Sequence, residues 1–133
     1  MKIAIDMDNT LVDEFGSTLR PGIIDFLELI SKNNKLILWT NSKRIRTLEI
    51  IDHFSLRKYF IKIITRENYD PNEKNLRKNI KEYGFDIIID DDKEEVEYNK
   101  SNGKIGILIE PYKKNKKMDK NELKNILAKY KLK

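Results

Sequence analysis

The residues best placed to do chemistry are carboxylates and hydroxyls gathered at the ends of apolar runs. Asp6-Met7-Asp8-Asn9-Thr10 closes the first run, Thr40-Asn41-Ser42 follows the second, and Asp90-Asp91-Asp92 closes the fourth, with Lys74 ahead of it. Carboxylates packed together repel one another and lose hydration when partly buried. A divalent cation relieves both costs, and hard oxygen ligands select Mg²⁺ over softer metals. Aspartates at such places can also simply cap helices and break turns. Two acidic clusters at the ends of Ile-rich runs, with Thr and Lys between them, favour the ion site.

The elements that must carry these groups are readable from periodicity. Five short runs, Ile3–Asp6, Leu36–Trp39, Ile61–Thr65, Ile87–Asp90 and Ile105–Ile109, read as buried strands. Pro21 at a first helical position, followed by Ile23, Phe26, Leu27 and Ile30, predicts one helix. Ile45, Leu48 and Ile51 predict a second. Leu76, Ile80 and Tyr83, closed by Gly84, predict a third that carries Lys74 near its start. Leu123, Ile126, Leu127 and Tyr130 predict the last. Strands alternating with helices make an α/β fold, a Rossmann-like three-layer sandwich around a parallel five-stranded sheet. Ligands of such sheets bind beyond the C-terminal ends of the strands, where all four polar groups converge.

Composition narrows the chemistry further. The 133 residues suit one domain, 1–133, and the apolar runs argue against disorder although 37% of residues are charged. With no cysteine, a disulfide framework and thiol catalysis are excluded. A single histidine, His53, disfavours a zinc site or a Ser-His-Asp triad, and is expected to be a surface or packing residue. Trp39 is expected in the core. No signal peptide or membrane span is evident, so a cytoplasmic location is the expectation. The net charge of +5 is uneven, because residues 113–133 hold nine lysines against Asp119 and Glu122. That basic segment reads as a solvated helical face or as a contact for anionic partners such as nucleic acid.

The order of the motifs resembles the haloacid dehalogenase superfamily of phosphohydrolases: Asp6-x-Asp8-x-Thr10, Thr40 after a strand, a lysine, then an Asp pair after a strand. Arg20-Pro21-Gly22, Phe26-Leu27, Arg66-Glu67, Asn102-Gly103 and Asp119…Glu122-Leu123 extend the resemblance to its capless, NLI-interacting-factor-like branch of C-terminal-domain phosphatases. Asn9 departs from the Glu usual in that branch. Response-regulator receivers use similar parts in a different order and do not match. The resemblance implies a phosphatase with Asp6 as nucleophile and metal ligand. Asp8 would be general acid and base, with its backbone carbonyl toward the metal. Thr40 and Asn41 would bind the phosphate, and Lys74 would supply positive charge, with Lys58, Lys62 and Lys78 as competitors. Asp91 would be a metal ligand, Asp90 the partner of the lysine, and Asp92 a helix cap, each assignment open to a shift of one residue. Thr10 would tie the first loop together.

The intervals from Asp8 to Thr40 and from Thr40 to Lys74 are too short for an inserted cap domain. Residues 12–19, with Gly16 as a hinge, could form only a small flap. An open site suits a phosphoprotein or a nucleic-acid end; a small metabolite, or a silent phosphate-binding module, are the alternatives.

Overall fold

Strands with no polar face need cover on both sides, and the chain supplies it by alternating its strands with packing segments. The computed structural model describes residues 1–133. β1 (Lys2–Ile5), β2 (Lys35–Trp39), β3 (Phe60–Ile64), β4 (Ile87–Asp90) and β5 (Ile105–Leu108) form a wholly parallel sheet in the order β3-β2-β1-β4-β5. Each strand lies within a residue of its expected bounds. Five helices accompany them: α1 (Ile23–Ser31), α2 (Arg44–His53), the single turn α3 (Arg66–Tyr69), α4 (Lys93–Ser101) and α5 (Glu122–Tyr130). None is long and apolar enough to cross a membrane.

Successive strand side chains go to opposite faces, which divides the core in two. Ile3, Ile5, Leu36, Leu38, Ile87 and Ile89 join α1, α2 and α5 in the larger core. Ala4, Ile37, Trp39, Ile64 and Ile88 meet Ile80, Phe85 and Tyr69 in the smaller one. Trp39 is buried as expected, and His53 is an exposed residue at the end of α2. No inserted cap stands over the sheet.

Two helices differ from their expected patterns. Gly22, in the left-handed conformation (φ 80°), precedes α1, so Pro21 lies just outside the helix. In α2 the buried side chains are Thr47, Ile50 and Ile51, while Ile45 is exposed. Thr47 is admitted because its hydroxyl donates to the Lys43 carbonyl one turn back.

The third expected helix does not form; residues 71–84 run as irregular chain and turns. Glu73 and Asn75 take positive φ (52° and 58°), which a helix forbids. The amides are satisfied by side chains instead of by a helical ladder. Asp70 accepts from the amides of Lys74 (2.9 Å) and Leu76 (3.3 Å). Glu95 accepts from the Lys78 amide (2.8 Å), and Asn99 accepts from Ile80 N–H (3.1 Å) while donating to the Lys78 carbonyl (2.8 Å). Helix α4 thus grips the segment through Glu95 and Asn99. That grip needs α4 close to the sheet. A Cβ on Gly106 of β5 would lie 2.8 Å from both Val96 Cγ1 and the Val96 carbonyl oxygen, so only glycine permits this approach.

Asn99→Ala should lower unfolding free energy by about 2–4 kcal/mol, because it strands a buried N–H and a buried carbonyl of the 78–80 segment. Urea denaturation measures this, and a loss below about 0.5 kcal/mol would show that the segment is held some other way.

Candidate functional site

The sheet reverses its winding between β1 and β4, since the chain passes from β1 to β2 and β3 on one side before returning to β4 on the other. The crevice at such a point is where open parallel sheets bind ligands. Ile5 is in register with Ile89, and the Asp6 amide donates to the Ile89 carbonyl (3.0 Å), so Asp6 and Asp90 leave the sheet side by side. Oxygens of Asp6, Asp90 and Asp91 lie within 4.8 Å of one another. This all-oxygen, three-carboxylate set fits a hard divalent cation.

A lysine sits in the cluster, and it is Lys78. Its ammonium donates to Asp6 Oδ1 (2.8 Å) and Asp90 Oδ2 (2.7 Å), with its side chain 5% exposed. The expectation had named Lys74, which the structure corrects: Lys74 is exposed and meets Asp70 only through its backbone. The error follows from the helix that does not form. In a helix, residues 74 and 78 share a face, whereas in extended chain residues 78 and 80 do, and Lys78 and Ile80 both turn inward.

The ammonium bonds two of the three clustered carboxylates, and their charge states follow. Burial pushes Asp6 up to about 7 against the opposing pull of Lys78. Asp90 rises to about 6, chiefly by burial and then by the nearby Asp6 charge. Asp91 is also raised by burial. Lys78 stays charged well above its ordinary range, because the attraction of Asp6 and Asp90 outweighs its own burial.

Thr10 ties the two strand ends together, its hydroxyl lying 3.1 Å from Asp6 Oδ2 and 3.2 Å from Asp91 Oδ1. Asp92 caps α4 by accepting from the Glu94 amide (2.9 Å). Asp8 faces the same cleft of about 200 Å³ but stands outside the three-carboxylate set. Arg46 holds it in a two-pronged pair, Nη1 to Oδ2 at 2.9 Å and Nη2 to Oδ1 at 2.8 Å. Thr40 is buried after β2, its hydroxyl oxygen accepting from Ser42 N–H (3.1 Å). Asn41 lines the cleft and accepts from Arg66 through both its carbonyl (2.9 Å) and its side chain (3.3 Å).

Arg20 and Arg46 were not singled out from the sequence, although Arg20 opens the Arg-Pro-Gly motif. Arg20 is buried and donates to the carbonyls of Thr10 (2.7 Å), Asn9 (3.1 Å) and Glu110, while pairing with Glu122 (3.2 Å). Asn9 and Tyr112 exchange two further bonds, 2.8 and 3.0 Å long. The loop after β1 is thereby fastened to the chain leaving β5. Asn9 takes φ 63°, a conformation Asn tolerates better than Glu, which gives the sequence departure at this position a backbone reason.

Residues 1–132 match the family model of the NLI interacting factor-like phosphatases. The chain belongs to that family. Among solved structures it is similar to a HAD-superfamily hydrolase of subfamily IA from Geobacter sulfurreducens (11% identity, TM-score 0.69, covering 96% of this chain and 97% of that one). It is also similar to a Thermotoga maritima protein named for beta-phosphoglucomutase (18% identity, TM-score 0.68, coverage 96% and 98%). A haloacid dehalogenase-like hydrolase from Streptococcus pneumoniae matches at 18% identity and TM-score 0.61, over 85% of this chain and 60% of that one. No curated protein sequence matches. The family model makes this chain an NLI interacting factor-like phosphatase, and the HAD-superfamily structures share its fold.

Two measurements follow from the electrostatics. In metal-free buffer the raised carboxylates favour the folded state while they can hold a proton that the unfolded chain releases near 3.8. Stability should therefore fall as pH climbs through the window from about 4 to about 7 given by Asp6 and Asp90. A melting temperature in EDTA that stays flat or rises between pH 5 and 8 would contradict this. Lys78→Met should cut phosphatase turnover by at least about 100-fold, whereas Lys74→Met should change it less than about twofold; the reverse pattern would restore Lys74.

Proposed function

We propose that this protein hydrolyses a phosphomonoester by way of a phosphorylated Asp6, with Mg²⁺ as its cation and an open, capless site. The observation that carries this reading is the position of Asp6. Its carboxylate ends β1 at the switch point, with Lys78 on one oxygen and Thr10 on the other. A carboxylate so held has its rotation fixed and its charge partly offset, which suits attack in line on phosphorus.

In the first step an Asp6 oxygen bonds to phosphorus, and the bond from phosphorus to the leaving oxygen breaks. Asp8 gives that oxygen a proton. In the second step water attacks phosphorus, Asp8 takes the water proton, the bond to Asp6 breaks, and inorganic phosphate leaves. Arg46 occupies both Asp8 oxygens, so for Asp8 to reach the leaving oxygen and the attacking water it has to leave that pair. Lys78 keeps Asp6 oriented and balances charge beside it. Thr40 and Asn41 supply polar groups for the phosphate oxygens at the end of β2, with Asp90 holding Lys78 from below. Asp6 and Asp91, with the Asp8 carbonyl, would hold Mg²⁺, and the ion would neutralise charge developing on the transferring group. The chain acts as one domain, 1–133.

Asp6→Asn should abolish hydrolysis of an aryl phosphate while the circular dichroism stays native. Acid-quenched wild-type enzyme should carry a hydroxylamine-labile phosphate that this variant lacks; persistent turnover in Asp6→Asn would remove Asp6 as the nucleophile. Adding Mg²⁺ at pH 7.5 should raise the melting temperature and restore activity after EDTA, and the rise should be smaller at pH 5, where the carboxylates hold protons. An activity indifferent to EDTA would overturn the Mg²⁺ assignment.

A further inference from the structure

Beside the carboxylate cleft lies a second one, of about 330 Å³, with aromatic walls. Tyr69, Leu76 and Arg77 line both, so the two are neighbours that share a wall. Tyr69 and Tyr83 meet Trp39 edge-on, with ring centroids 5.3 and 4.7 Å away, and Tyr98 lines the same cleft. Leu76 is 50% exposed and Tyr83 36%, so this wall is open to a ligand.

The cleft offers unpaired donors beside the exposed carboxylate of Glu82. Trp39 Nε1 has no acceptor, but it lies beneath the wall and offers nothing to a ligand in the cleft. Asn68 and Asn79 spend their side-chain oxygens locally, on Thr65 and on the Glu82 amide, which leaves both amide nitrogens free. Tyr69 keeps its proton, since burial pushes it up to about 12. Arg77 is already neutralised by Glu95 at 2.8 Å and Glu94 at 3.4 Å. A neutral planar ring that carries acceptor atoms fits this combination; a phenyl side chain would leave the donors idle.

We propose that this aromatic cleft is a nucleobase subsite of the phosphatase centre, so that its substrate is a nucleotide phosphomonoester. The inference rests on the phosphatase reading above and names its substrate class. The phosphate occupies the carboxylate cleft, the ribose spans the shared edge at Tyr69 and Leu76, and the base stacks against Tyr83 and Tyr98. A free nucleotide and a nucleic-acid end present the same chemistry. The basic segment bears on the second source, because the Asn9 side-chain amide donates to the Tyr112 carbonyl and the Lys114 amide donates to Glu14 Oε1 (2.8 Å), which fastens the start of the segment to the loop after β1.

The test compares kcat/KM for nucleoside 3′- and 5′-monophosphates, 3′- and 5′-phosphorylated oligonucleotides, ribose 5-phosphate, a phosphotyrosyl peptide and p-nitrophenyl phosphate. Nucleotides should exceed ribose 5-phosphate by roughly 5- to 150-fold, the scale of one base stacked on aromatic side chains. Tyr83→Ala and Tyr98→Ala should each bring that ratio down toward one. Trp39 is the single tryptophan, so its fluorescence gives a readout free of turnover, and a nucleoside without phosphate should quench it. Oligonucleotides preferred over mononucleotides, with a preference that salt erodes, would identify the nucleic-acid end as the source. Nucleotides no better than ribose 5-phosphate, or a phosphotyrosyl peptide preferred in a Tyr83-dependent way, would overturn the subsite. Loss of all turnover, p-nitrophenyl phosphate included, would instead defeat the phosphatase reading, and nucleoside quenching would then still decide the subsite.

Discussion

One ammonium group between two buried carboxylates organises this molecule. Asp6 and Asp90 emerge from adjacent parallel strands because the register of β1 and β4 leaves no alternative, and side by side they repel. Lys78 makes the arrangement tolerable, and it does so only because an irregular segment carries it under the sheet edge. That segment is in turn held by Glu95 and Asn99 of α4, which approaches β5 closely enough because residue 106 is glycine. A chain of dependence therefore runs from a missing Cβ to the charge on Asp6. Compensation is incomplete, since the one ammonium bonds Asp6 and Asp90 while Asp91 adds a third carboxylate to the cluster. The deficit is what fits the site to a cation.

Asp8 is subject to a different constraint. Its neighbour two residues back is locked by Lys78 and Thr10, whereas Asp8 reaches across to Arg46 on α2 and is only half-buried. Under the proposed mechanism the fixed group and the movable group suit different tasks, because attack on phosphorus demands a constant position, whereas proton transfer at two separate moments demands a side chain that can be released and recaptured.

The strands were legible in the sequence because apolar runs of four or five residues between polar ends have few other readings. Asp6, Asp8, Thr10, Thr40 and the acidic triplet were legible for the same reason, since strand ends fix where they fall. Lys78 was not. Leu76, Ile80 and Tyr83 carry helical spacing, yet two of the three are substantially exposed, and the segment is shaped by side chains from α4, seventeen or more residues away. Local periodicity cannot register a partner supplied by a later element. Arg20 and Arg46 escaped on similar grounds, as their partners lie up to 102 positions distant. What sequence patterns capture is the scaffold; what they miss is the set of long-range polar ties that aim side chains.

The clasp built on Arg20 has a bearing on biosynthesis. The loop that follows the first strand is among the earliest parts of the chain to be made, yet Glu110, Tyr112 and Glu122, which fasten it, are among the latest. Asp6 thus leaves the ribosome long before the residues that brace its loop. A nascent chain stalled short of residue 110 lacks every one of these braces, so the loop beside the carboxylates is completed only late in translation.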